Sequence, residues 1–112
     1  MTLTRDQHYL QKYGLSEQEL AERLERDQDG KCEICRAVIV LGRTAVVDHD
    51  HESKRKVRGI LCHRCNQGLG HFNDDPRMVR DALRYLVGSL SEAKLEKYNY
   101  WAKEVYGDEP WG

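Results

Sequence analysis

Nine residues carry the chemistry this chain can do. Two Cys-x-x-Cys pairs, Cys32/Cys35 and Cys62/Cys65, enclose the run Asp48-His49-Asp50-His51, and Asn66 directly follows the last cysteine. A two-residue spacer lets both thiolates of a pair reach one tetrahedral ion at about 2.3 Å, so two such pairs can close a four-sulfur site. Zinc suits four thiolates and has no redox liability; iron fits the same geometry and stays open. A redox Cys-x-x-Cys or a pair of disulfides explains two evenly built pairs less well. His63, inside the second pair, reads as a surface or phosphate-contacting residue, because four thiolates already complete a shell.

The acid–imidazole run suits different chemistry. A carboxylate is a hard ligand for Mg²⁺ or Mn²⁺. A neutral imidazole is a good general base for water near neutral pH. Hydrolysis of a phosphodiester uses both, an ion to polarise the phosphate and a base for the attacking water. Asn66 is tied to the second cysteine pair through Cys65, and its amide oxygen can serve as a second hard donor. The bland alternative is a solvated histidine-rich turn beside an asparagine helix cap.

These residues must be positioned by short elements. Asp48 to His51 follow a β-prone run, Ala45 to Val47, which is joined at Gly42-Arg43 to another, Val38 to Leu41. On an extended strand Asp48 and Asp50 share one face, and His49 and His51 the other. A polar loop, Glu52 to Lys56, leads to a further β-prone run, Val57 to Leu61. From Asn66 a short helix is expected, broken by Gly68 and Gly70. Upstream, Thr4 with Gln7 and Ser16 with Glu19 read as capping boxes, and Leu15 and Leu20 sit where a hydrophobic staple pairs. The second of these helices runs to about Asp27 with Leu20 and Leu24 on one face. Downstream, Asp75-Pro76 opens a helix with the apolar face Val79, Ala82, Leu83, Leu86 and Val87. Ser89 with Glu92 reads as the next capping box, for a last helix carrying Leu95, Tyr98, Ala102 and Val105.

A chain of 112 residues suits one domain. The division reads as N-terminal helices over 1–30, a catalytic module over 31–72 and C-terminal helices over 73–112. A domain of this size buries about 65% of its unfolded surface, so a structural metal would add much to a modest core. No apolar run reaches the roughly 20 residues a membrane span needs, which excludes a membrane partner. The segment Met1 to Asp6 lacks a signal peptide's apolar stretch, so a reducing cytoplasm is expected, where paired cysteines bind metal. The net charge of −1 argues for no partner. Its distribution does: residues 31–71 hold eight Lys/Arg against four Asp/Glu, a local basic excess around the cysteines and histidines.

At these residues the chain resembles the recombination endonuclease VII family of phage nucleases, within the HNH or ββα-metal superfamily. The matching stretches are Tyr13-Gly14-Leu15, Lys31 to Cys35, Val47 to His51, Val57 to Asn66 and Leu69-Gly70. The resemblance implies an α+β fold, a small zinc-bound ββα-metal module flanked by N- and C-terminal helices. It implies structural Zn²⁺ on Cys32, Cys35, Cys62 and Cys65, and a catalytic Mg²⁺ or Mn²⁺ on Asp48 and Asn66. His49 would be the general base and His51 would contact the scissile phosphate. The function so implied is a metal-dependent DNA endonuclease, nicking or resolving branched DNA such as a Holliday junction. It would act in the cytoplasm, the host's if the gene is a phage's. Lys54, Arg55, Lys56, Arg58 and Arg64 would hold flanking phosphates. A zinc-stabilised module that binds nucleic acid without cutting it is the alternative. Asp48, His49 and Asn66 separate the two, since a pure binder needs no hard-cation site. A third reading is a protein adaptor using an aromatic tail, Tyr98, Tyr100, Trp101, Tyr106 and Trp111. The C-terminal helices also need cover for their apolar stripes, and packing on the module or a homodimer would provide it.

Overall fold

The computed structural model describes residues 2–50 and 56–108. They form five helices and one two-stranded antiparallel sheet, an α+β arrangement. The elements are α1 (Arg5–Tyr13), α2 (Glu17–Gln28), β1 (Ala45–His49), β2 (Val57–Cys62), α3 (His63–His71), α4 (Pro76–Gly88) and α5 (Glu92–Tyr106). The chain divides into two compact units, residues 1–68 and 69–112.

In the first unit, both N-terminal helices start as their sequences dictate. Thr4 Oγ1 accepts from the Gln7 N–H at 3.1 Å, and Gln7 Oε1 accepts from the Thr4 N–H at 2.9 Å, a reciprocal capping box. Ser16 caps α2 through the Glu19 N–H, and Asp6 of α1 takes the Glu17 N–H at 2.7 Å. Arg5 adds an ion pair with Glu17 across the helix junction. The buried apolar side chains of this unit include Leu20 and Leu24 on one face of α2, Tyr13 at the end of α1, and Ile39, Leu41, Val47, Val57, Ile60 and Leu61. Burying these groups is the unit's main stabilising term.

The run Val38 to Leu41 is not a strand. It makes single bridges, Lys31 with Val38 and Leu41 with Ala45. The N–H groups of Arg43, Thr44 and Ala45 all turn onto the Val40 carbonyl at 3.0–3.1 Å, and Thr44 Oγ1 takes the Val40 N–H. The turn passes through Gly42 at φ 80°, where a Cβ would run into the Arg5 guanidinium. β1 therefore pairs with β2, placing Ala45 opposite Cys62, Val47 opposite Ile60 and Asp48 opposite Gly59. The pairing then slips, and His49 faces Val57. The loop between the strands is closed at its neck by the Asp50 N–H donating to the Lys56 carbonyl at 2.9 Å.

α3 begins directly after β2, at His63 rather than Asn66, and runs through Gly68 and Gly70. A Cβ at either glycine would meet nothing within 4 Å, so no packing contact breaks the helix there.

In the second unit, Asp75 caps α4 through the Arg77 N–H, with Pro76 at the first helical position. Ser89 does not open α5. It closes α4, its Oγ donating to the Leu86 carbonyl at 2.8 Å, while Ser91 caps α5 through the Lys94 N–H. The serine two residues later wins because extended backbone is available there, at φ −64° and ψ 162°. Ala82, Leu83, Val87, Leu95, Tyr98 and Ala102 are half-buried; Val79, Leu86 and Val105 are exposed. Tyr98, Trp101 and Tyr106 pack on one another at ring separations of 5.8 and 5.3 Å, whereas Tyr100 is 71% exposed. Trp111 lies outside the described residues.

Candidate metal centre and acid–imidazole strand

The first cysteine pair sits in a tight knuckle after α2. The Cys32 N–H donates to the Ala37 carbonyl at 2.8 Å, and the Arg36 N–H returns to the Cys32 carbonyl at 3.0 Å. Arg36 takes φ 67° to close that turn. The second pair straddles a strand-to-helix junction, Cys62 ending β2 and Cys65 in the first turn of α3. The four Sγ atoms lie within 4.8 Å of one another, with Cys35 and Cys62 at 3.7 Å. Sulfurs at the corners of a tetrahedron around an ion at about 2.3 Å would be about 3.8 Å apart. The four residues are therefore positioned to hold one metal ion.

Electrostatics favour a cation there. Burial pushes the Cys32 thiol up, but the N–H groups of Cys35, Cys62 and Ile34 outweigh it and bring it down to about 6. Burial and the neighbouring sulfurs of Cys62, Cys35 and Cys32 push Cys65 up to about 12. Cys32 thus leans toward the thiolate, while Cys65 is held toward the neutral thiol. A divalent ion reverses that preference, because it binds thiolates and releases their protons.

Cys62 has a second task. Its Sγ accepts the Cys65 N–H at 3.4 Å, three residues on, where a capping side chain takes an N-terminal N–H. Asn66 lies inside α3 and is half-buried, so it is not the helix cap.

β1 carries the acid and the imidazole. Asp48 is nearly covered, its side chain 13% exposed, and its Oδ2 accepts from Arg58 Nε at 2.6 Å. His49 is the last residue of β1. The buried Tyr13 ring lies 6.0 Å from its imidazole, centre to centre, and Tyr13 Oη donates to the Val47 carbonyl at 3.3 Å. Strand alternation stops at His49, so Asp50 stands beyond the strand. Lys56 and Arg64 are exposed, the latter on the first turn of α3. His51, Lys54 and Arg55 lie outside the described residues.

Gln28 escaped sequence reasoning altogether, and Tyr13 entered it only as part of the resemblance, without a role. Both are polar or half-polar groups whose buried positions only tertiary packing reveals. A glutamine at the end of an amphipathic helix, four residues beyond Leu24, was the available signal for the first.

A strand bearing Asp-His, paired with a strand that runs straight into an Asn-bearing helix, is hung on a four-cysteine centre: this defines a small α+β metal-knuckle module. The family model for recombination endonuclease VII matches residues 6–88, and the chain belongs to that family. Membership makes it a nuclease, a hydrolase whose substrate is DNA. No curated protein and no solved structure shows a significant match. Among the described residues no helix is long and apolar enough to cross a membrane.

Proposed function

We propose that this chain is a metal-dependent DNA endonuclease of the HNH type that nicks or resolves branched DNA. The observation that carries the reading is the junction of β1, β2 and α3. Asp48 lies opposite Gly59, three residues before Cys62, and Asn66 follows Cys65 in the helix that Cys62 caps. One sulfur-anchored corner thus serves the acid, the imidazole and the amide. Cys32, Cys35, Cys62 and Cys65 would hold a structural zinc that fixes that corner.

Asp48 and Asn66 offer hard oxygen donors, and a Mg²⁺ or Mn²⁺ held by them would neutralise charge gathering on the phosphate. His49 takes the proton of the attacking water, and Tyr13 keeps the imidazole from turning away. His51 contacts the phosphate. Lys54, Arg55, Lys56 and Arg64 hold the flanking backbone, a sequence-independent grip. We place the action in the cytoplasm, the host's if the gene is a phage's, where cysteines outside disulfides stay reduced and can bind metal. A homodimer through α4 and α5 would cover their exposed Val79, Tyr85, Leu86 and Val105.

The test is incubation with supercoiled plasmid and a synthetic four-way junction, in Mg²⁺ and separately in Mn²⁺. His49→Ala should retain zinc and fold and lose roughly 10²–10⁴-fold in rate. Equal rates would remove His49 from the mechanism. Tight DNA binding without cleavage by the wild type would favour the binding module.

A further inference from the structure

The slip in the strand pairing falls at Arg58. Asp48 faces Gly59 and His49 faces Val57, so Arg58 is the extra residue of a bulge. A bulge re-aims a side chain, and here it lays Arg58 Nε against Asp48 Oδ2 at 2.6 Å. That length belongs to a charge-assisted bond. The carboxylate is 13% exposed while the arginine is 42% exposed, so the pair is half-sheltered with the acid on the inner side.

Such a pair permits three roles for the arginine. A phosphate holder would face outward. A competitor would have to leave before a cation binds. A positioning group would grip one carboxylate oxygen and leave the other available. The bond runs from Nε to Oδ2, which leaves lone pairs on Oδ1. Carboxylates that bind metals are commonly held by a hydrogen bond from outside the coordination shell.

We infer that Arg58 is a positioning residue, which fixes the Asp48 carboxylate by Oδ2 so that Oδ1 is presented to the cation. The inference rests on Asp48 being a cation ligand, as proposed above. It assigns to Arg58 a role different from gripping flanking phosphate.

The sign of one measurement decides it. Removing a positive charge beside a cation site strengthens cation binding by Coulomb's law alone. Removing a group that orients the ligand weakens it. Mn²⁺ binding to the zinc-loaded full chain, without DNA, is read by electron paramagnetic resonance. Arg58→Ala should weaken it about ten-fold. Arg58→Lys, which keeps one donor and the charge, should recover part of the loss. Asp48→Asn sets the baseline. Unchanged or tighter binding in Arg58→Ala overturns the inference and leaves Asp48 as a ligand. Wild-type binding no better than Asp48→Asn overturns both. Zinc content and melting temperature are measured alongside; if Arg58→Ala loses either, Arg58→Gln carries the same test of sign.

Discussion

The side chain of Gln28 closes on the backbone of Ile60 from both sides: Gln28 Oε1 accepts the Ile60 N–H at 2.9 Å, and Gln28 Nε2 donates to the Ile60 carbonyl at 2.7 Å. The same Nε2 also donates to the Lys31 carbonyl at 2.7 Å. A helix side chain thereby does for the outer edge of β2 what a third strand would do. Arg23 Nη2 holds the start of the same strand through the Val57 carbonyl at 3.0 Å.

Gln28 is 3% exposed, so losing it would strand backbone groups away from water. Gln28→Ala should destabilise the first unit by about 2–4 kcal/mol, within the cost of leaving buried polar groups unpaired. Urea unfolding measures it. A change below about 0.5 kcal/mol would mean that water replaces the amide without penalty.

Tyr13 separates its ring from its hydroxyl. Tyr13→Phe removes one long hydrogen bond and should cost about 1 kcal/mol while leaving the ring beside His49. Tyr13→Leu removes the ring wall as well. Its cleavage rate should fall further than that of Tyr13→Phe, because the imidazole has lost the ring that flanks it. Equal rates for the two variants would leave Tyr13 a core residue only.

Zinc removal should unfold the first unit. Structural zinc contributes on the order of 10–16 kcal/mol of apparent binding energy, more than the total stability of most domains. Cys62→Ser should lower metal content below one ion per chain and lower the melting temperature. Full stoichiometry with an unchanged transition would show that Cys62 is not a ligand.

The helix starts that rest on local chemistry were readable from the chain, because a capping side chain two or three residues before the N–H it takes makes its contact within one turn. Thr4, Ser16 and Asp75 are of this kind. Ser89 and Ser91 were not separable that way, since both precede an acid or lysine at workable spacing and only the end of α4 decides between them. The cysteines were legible because tetrahedral coordination imposes their spacing on any fold. Val38 to Leu41 misled, because β propensity says nothing about whether a partner strand is in reach. The Asp48–Arg58 pair was hidden for a related reason. It depends on a bulge, and one inserted residue changes which side chains meet.

Cys62 ties two supplies together. Its sulfur is a corner of the metal site and also the cap of the helix on which Asn66 rides. With a metal bound there as proposed, one atom would join the strand that carries Asp48 to the helix that carries Asn66. Replacing that sulfur would then loosen both elements together, so damage at Cys62 would fall on the proposed site as a whole and not on one of its residues.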